Sequence, residues 1–157
     1  MRTHSNKAFT FIEMMVVVVI LGVLAAIVVP QFGGVTDQAR TSATEGGLGG
    51  VRSGIAGYRA KQLLAGNPPY PSLTDLRTKG VVLQSDMPSN PWSGLSEVQS
   101  VSQTQADNRS VSGATRYGWN YYVNNSSDPP RAVFYANSND VTTTPDASGG
   151  FKTANEL

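Results

Sequence analysis

Glu13 is a lone carboxylate at the mouth of an apolar run. Lys7-Ala8-Phe9-Thr10-Phe11-Ile12 precedes it, and Met14 to Val29 follows with sixteen residues and no polar side chain. A charged group at bilayer depth costs about 2.5–3.5 kcal/mol even on lenient insertion scales, so an acid here calls for a partner. As a helix, the sixteen residues reach about 24 Å, short of a hydrocarbon core of about 30 Å. The wider stretch from Phe9 to Phe32 gives about 36 Å, which spans. Arg2 and Lys7 on its amino side favour a cytoplasmic N-terminus, a contrast that Arg40 beyond the run weakens. An ordinary secretory signal peptide also has a basic start and an apolar stretch. Here the run ends Ala25-Ala26-Ile27-Val28-Val29-Pro30-Gln31-Phe32, without a small-x-small boundary, and the acid at its mouth does not fit that pattern.

The remaining composition narrows the chemistry. The 157 residues include no cysteine and one histidine, His4, which lies ahead of the apolar run. Beyond it the chain has no means to build a Ser-His-Asp or Cys-His centre, or a zinc site of nitrogen and sulfur ligands. We therefore expect no enzyme. Asp75, Asp86, Asp107, Asp128, Asp140 and Asp146 are scattered among turn residues, where Asp is favoured for local hydrogen bonding. Without Arg2 and Lys7 the chain would carry ten basic and eleven acidic residues. That balance provides no basic field for nucleic acid.

Lys7-Ala8-Phe9-Thr10-Phe11-Ile12-Glu13 followed by the apolar helix resembles the class III signal peptide of type IV pilins and of type II secretion pseudopilins. The resemblance implies that a membrane-embedded aspartic peptidase, the prepilin peptidase, cuts between Ala8 and Phe9 and methylates the new amino terminus on Phe9. Glu13 then becomes the fifth residue of the mature chain. The family usually has Gly where this chain has Ala8, which keeps the position small. A free amine at Phe9 would lie within one turn of its own Glu13 and, in a staggered bundle, near the Glu13 of a neighbour. Opposite charges 4 Å apart attract by roughly 4 kcal/mol at an effective dielectric of about 20. Such pairing would reward assembly and set axial register. The plainer alternative is a Glu13 that snorkels to the cytoplasmic headgroups.

Gly22 and Pro30 are weak points in the same helix, Gly as a poor helix former and Pro as a residue that removes a hydrogen bond. In the resembling filaments the segment between such positions can lose helicity on assembly; a curved but continuous helix is expected of the isolated subunit. Beyond the membrane, Phe32, Val35, Ala39 and Ala43, then Val51, Ile55 and Tyr58 up to Leu63 and Leu64, recur at helical spacing. One long helix to about Leu64 is expected, with a weak point at 46–50, and Gly46, Gly50, Gly54 and Gly57 form a small-residue ridge for a sheet or helix. Gly66-Asn67-Pro68-Pro69 ends it.

Pro71 to Gly80 reads as a short helix with Ser72 as N-cap and Gly80 as stop. Val81-Val82-Leu83 starts a first strand or a packed loop, and Met87 to Gly94 resembles the Pro-x-x-Pro-Trp-Gly turn of major pseudopilins. Ser96 to Ser112 is polar and reads as an exposed loop. Strands are expected over Thr115 to Val123, with Tyr117, Trp119, Tyr121 and Val123 on one face, and over Ala132 to Ala136; Thr142 to Thr144 with Phe151-Lys152 adds a weaker one. Asn137, Asn139, Asp140 and Asp146 group hard oxygen donors. The resemblance implies calcium near this region, while their spacing matches no EF-hand loop and suits metal-free turns equally.

The expected fold is α+β and pilin-like: a long N-terminal helix, half in the membrane and half amphipathic, packed on a small antiparallel sheet. We divide it into a cleaved leader (1–8), a transmembrane helix (9–32), the extramembrane half of the helix (33–65) and a small globular domain (66–157). The resemblance implies a structural subunit of a type II secretion pseudopilus in the bacterial inner membrane, N-terminus cytoplasmic and C-terminal domain periplasmic. Its partners would be the prepilin peptidase, further copies of itself and other pseudopilins. The absence of a cysteine pair and the Pro91-Trp92 turn favour this over a type IV or competence-type pilin; a membrane-anchored periplasmic binding module that never polymerises is the alternative of another kind. Ala8→Glu, which sets a bulky acid at the scissile bond, is expected to block cleavage; normal processing, read by intact mass, would place the cut elsewhere.

Overall fold

The computed structural model describes residues 9–28, 31–113 and 116–157. The leader with His4 and Ala8, the Pro30 position and the first residue of the expected strand, Thr115, lie outside the described residues. The chain divides into two compact units, Met1–Thr36 and Asp37–Leu157. Helix α1 (Phe11–Val28) belongs to the first and has no buried residue. Its 18 residues are long and apolar enough to cross a membrane by length and composition.

Helix α2 (Gln31–Leu64) runs without interruption through the glycine cluster. Within the second unit its buried stripe is Thr41, Thr44, Leu48, Val51 and Ile55, at spacings of three and four. Val51 and Ile55 are buried as the sequence pattern expects, whereas Val35, Ala39 and Ala43, which it also named, are exposed, as are Leu63 and Leu64; the Phe32 side chain lies outside the described residues. Two buried threonines replace them because both hydroxyls are satisfied. Thr41 and Thr44 donate to the carbonyls of Asp37 and Arg40, each at 2.8 Å, and accept from Thr143 N and the Trp92 indole, each at 3.0 Å. A buried hydroxyl so partnered avoids the desolvation penalty of an unmade bond. The expected ridge at Gly46, Gly50, Gly54 and Gly57 is also corrected: added Cβ atoms at Gly46, Gly50 and Gly57 would meet open space, whereas one at Gly47 would lie 3.6 Å from the Trp119 ring and one at Gly54 would crowd Leu83 and Val82.

Helix α3 (Leu73–Arg77) has Ser72 at its N-cap and a reciprocal capping box with Asp75, while Gly80 takes φ +85° just beyond it. Val81 to Leu83 is a turn packed against α2, not a strand. The polar stretch expected to be an exposed loop contains strand β1 (Val98–Ser100) and helix α4 (Gln103–Asp107), with Val98, Gln99, Val101 and Ala106 buried. Strand β2 (Trp119–Asn124) pairs in parallel with β1 and antiparallel with β3 (Arg131–Ala136). The sheet is therefore mixed, with α4 in the crossover that a parallel pair requires. Tyr117 precedes β2 and so falls outside the aromatic row.

Alternation along the strands gives each face its own core. Trp119, Tyr121, Phe134 and Ala136 cluster with Leu48, Val51, Ile55 and Leu76. Tyr135 on the other face packs with Val101 and Ala106. Strands β4 (Val141–Pro145) and β5 (Phe151–Thr153) form a separate antiparallel pair instead of extending the sheet. They are tied to α2 through Thr143 and through the Thr144 hydroxyl, which donates to Glu45 at 2.6 Å. A single turn of 3-10 helix, Ala154–Glu156, closes the unit.

The Met87 to Gly94 turn is held by buried Asn90. Its amide donates to Gly118 O at 2.8 Å and its Oδ1 accepts from Trp92 N at 3.0 Å. Trp119 donates its indole N–H to Pro88 O at 2.7 Å. Gly118 sits where a Cβ would collide with the Leu95 carbonyl oxygen and crowd Asn90. Gly118→Ala should therefore cost about 1–3 kcal/mol or more, the range for overpacking against atoms that cannot give way. A urea midpoint equal to that of the parent chain would show that the turn shifts freely.

Candidate assembly and processing site

The first unit carries the residues singled out for processing and assembly. α1 begins with Thr10 and Glu13 locked together. Thr10 N and the Thr10 hydroxyl donate to Glu13 Oε2 at 2.7 and 2.8 Å, and Glu13 N donates back to Thr10 Oγ1 at 3.3 Å. This is a capping box, in which the acid three residues into the helix satisfies the N-cap amide and the N-cap hydroxyl satisfies the third helical amide. The sequence signal for this box is Thr10-x-x-Glu13 ahead of an apolar run, a matter of spacing that the charge of Glu13 taken alone does not reveal. The carboxylate also sits at the positive end of the α1 dipole.

Around it the surface is apolar. Phe9, Ile12, Glu13, Met14, Val16 and Val17 line one shallow groove of about 420 Å³. The structure thus brings Phe9 and Glu13 to one place, with Phe9 83% and Ile12 70% exposed. Among the described residues Thr10 alone bonds the carboxylate, and both bonds go to one oxygen. The other oxygen is available to a cation brought by a second molecule. Gly22 lies within the continuous α1 helix with open space around its Cβ position. Ala8 and Pro30 are outside the described residues, so the cleavage position and the continuity of helix through Pro30 are not part of this geometry.

Among the grouped oxygen donors of the second unit, Asn137, Asp140 and Asp146 are each engaged in hydrogen bonds of the fold. Asn137 Oδ1 accepts from Ser112 N at 2.9 Å and Asn120 Nδ2 at 3.1 Å, which uses both lone pairs. Asp140 accepts from the Ser138 hydroxyl. Asp146 Oδ1 closes its own turn, accepting from Ser148 N, the Ser148 hydroxyl and Gly150 N at 2.7, 2.8 and 3.0 Å, and those bonds hold its carboxyl below the usual range. No group of three or more His, Cys, Asp or Glu side chains converges among the described residues.

Loss of the cap hydroxyl in Thr10→Val should destabilise the first turn of α1 by about 1 kcal/mol, read as faster amide exchange at Ile12 and Glu13 in micelles. Unchanged exchange would mean that the apolar surroundings alone hold the turn.

Comparison with known proteins agrees with the geometry at the N-terminus. Residues 3–29 match the prokaryotic N-terminal methylation motif. The chain is 40% identical over 72 residues to the type II secretion system core protein G of Pseudomonas aeruginosa, covering 46% of this chain and 47% of that protein. It is 46% identical over 50 residues to the type IV narrow pilus major component PilA5 of Thermus thermophilus, covering 32% of this chain and 43% of that protein. Both matches thus span about half the length of the relative. A third reaches further: 31% identity over 109 residues to the type II secretion system core protein G of Klebsiella michiganensis, covering 60% of this chain and 73% of that protein. No solved structure matches. With a methylation-motif helix, an α+β unit behind it and a match across most of a curated relative, the chain belongs to the family of type II secretion system core protein G, the pseudopilins.

Proposed function

We propose that this chain is a structural subunit of a type II secretion pseudopilus, cut between Ala8 and Phe9 by prepilin peptidase, methylated on Phe9 and polymerised with copies of itself and other pseudopilins. One observation carries the reading: Glu13 lies beside Phe9 in a groove on a helix whose side chains are all exposed. Such a helix is at rest only in lipid or against other apolar helices. A neighbour's Phe9 amine entering that groove would find a carboxylate in surroundings where an unpaired charge is costly. Pairing then fixes axial register while the apolar faces supply the contact area. Thr10 supports the same account, because its two bonds keep Glu13 satisfied in the free subunit until the stronger charged partner arrives.

In this reading residues 1–8 are the leader, 9–32 cross the inner membrane, and residues 33–65 and 66–157 form the periplasmic part, with the N-terminus cytoplasmic. Gly22 and Pro30 are the positions at which the helix yields when subunits pack. The similarity to a Thermus narrow-pilus component favours a second reading, a type IV pilin, for which the same N-terminal chemistry serves.

Two measurements test the proposal. Protein extracted from its host's membranes should begin at N-methyl-Phe9 by intact mass and N-terminal sequencing; a chain that still begins at Met1 would leave an anchored domain that does not polymerise. Glu13→Ala should insert in the membrane normally yet lower filament yield about tenfold or more, the equivalent of ~1.4 kcal/mol in subunit contact. Undiminished filaments would reject the charge-pairing account.

A further inference from the structure

On the second unit, strands β4 and β5 present an apolar face to solvent. Their pairing sets Val141 beside Thr153 and Pro145 beside Phe151, so these four side chains share one face of the hairpin. Val141 is 61% and Phe151 58% exposed, while Thr142 on the other face is buried. The hairpin is fixed to α2 at Thr41 and Glu45, through Thr143 N and the Thr144 hydroxyl. Across the same helix lies a groove of about 480 Å³, lined by Gly46 and Gly50 of α2 and by Leu83, Asp86 and Pro88 of the loop packed against it. At about 100° per residue, Gly46 and Gly50 stand roughly 100–180° round α2 from Thr41 and Glu45. The apolar patch and the groove therefore lie on different flanks of one helix, at nearly the same level. Glycine weakens a helix relative to Ala, yet a Cβ at Gly46 or Gly50 would meet no atom of this chain. Asp86, the one charged residue of the groove, is already paired with Lys79 at 3.0 Å.

We propose that, in the filament of the proposed function on which this contact rests, Phe151 of one copy seats in the Gly46 and Gly50 groove of the next, with Val141 and Pro145 beside it. Patch and groove are different surfaces, so the contact is heterologous. Every copy gives one and receives one, and the series runs on as an open filament instead of stopping at a pair. The two glycines let the ring approach the α2 backbone closely, as small residues do where packed elements meet. An aromatic side chain buries about 150–250 Å², whereas a stable complex of free proteins buries about 1,200 Å² or more. This contact is therefore too small to join two copies in solution. Packing of the α1 helices brings the copies together and raises the effective concentration of patch beside groove.

The chain has no cysteine, so introduced thiols are the only ones that cross-link. The full chain carrying both Gly50→Cys and Phe151→Cys, in membranes of a host that assembles the parent chain into filaments, should give a ladder of multimers with a short bis-maleimide. Each single substitution should stay monomeric. Dimers from Phe151→Cys alone would mean that the patches pair with each other, which overturns the proposal. Filaments of the double variant, seen by electron microscopy, that yield no ladder would also overturn it while leaving the subunit reading in place. Failure of the parent chain to form filaments would remove the subunit reading and this contact with it. Gly50→Leu, which fills the groove, and Phe151→Ser should each lower filament yield about tenfold, with the circular dichroism of the folded chain unchanged. Undiminished yield from both would overturn the proposal whether or not the cysteine variant assembles.

Discussion

The seating of Trp119 against α2 governs the second unit. Its side chain is fully buried, the largest in the core. It is held by three different forces: its seat against the bare backbone of Gly47, the Phe134 ring stacked at 5.3 Å and the hydrogen bond from its indole to Pro88 O. A Trp buries 150–250 Å² but requires a partner for its N–H. That partner lies on the Met87 to Gly94 turn, so burial of the ring and placement of the turn are one event. The turn in turn delivers Trp92 to Thr44 and Asn90 to Gly118. A helix, a loop and the central strand thus meet at one ring, and Gly118 is there because a Cβ would occupy the space of the Leu95 carbonyl oxygen.

A small sheet with two open edges is an aggregation hazard. Here each outer strand is closed by an arginine from a helix. Arg77 of α3 donates through Nε and Nη2 to Val98 O on β1, and Arg52 of α2 does the same to Phe134 O on β3. A charged donor on an edge carbonyl satisfies the strand and repels pairing with another copy.

The first unit works by the opposite economy. α1 leaves its apolar surface uncovered, and its one charge is satisfied locally by Thr10. Nothing within the second unit is needed to make the Thr10–Glu13 box, and nothing in α1 is needed to build the Trp119 core.

The sequence by itself determined what depends on near neighbours. The apolar length of α1, the Ser72 cap of α3, the Ala132 to Ala136 strand and the placement of Glu13 beside Phe9 follow from spacing and residue type within one or two turns. The Thr10–Glu13 box belongs to the same class, since four consecutive residues carry it. What needed the tertiary structure was every position where a polar group is buried by a distant partner. Thr41 and Thr44 read as solvent-facing until Thr143 and Trp92 supply their bonds. The stretch from Ser96 to Ser112 reads as loop until Asn120, with its Oδ1 2.7 Å from Gln99 Nε2, makes a buried strand of it. Arg52 is one more polar residue of α2 in the string until Phe134 O and Leu157 O supply its acceptors. Local propensity is legible in a string of residues; satisfaction of a buried polar atom depends on what the fold brings to it, and only the folded chain decides that.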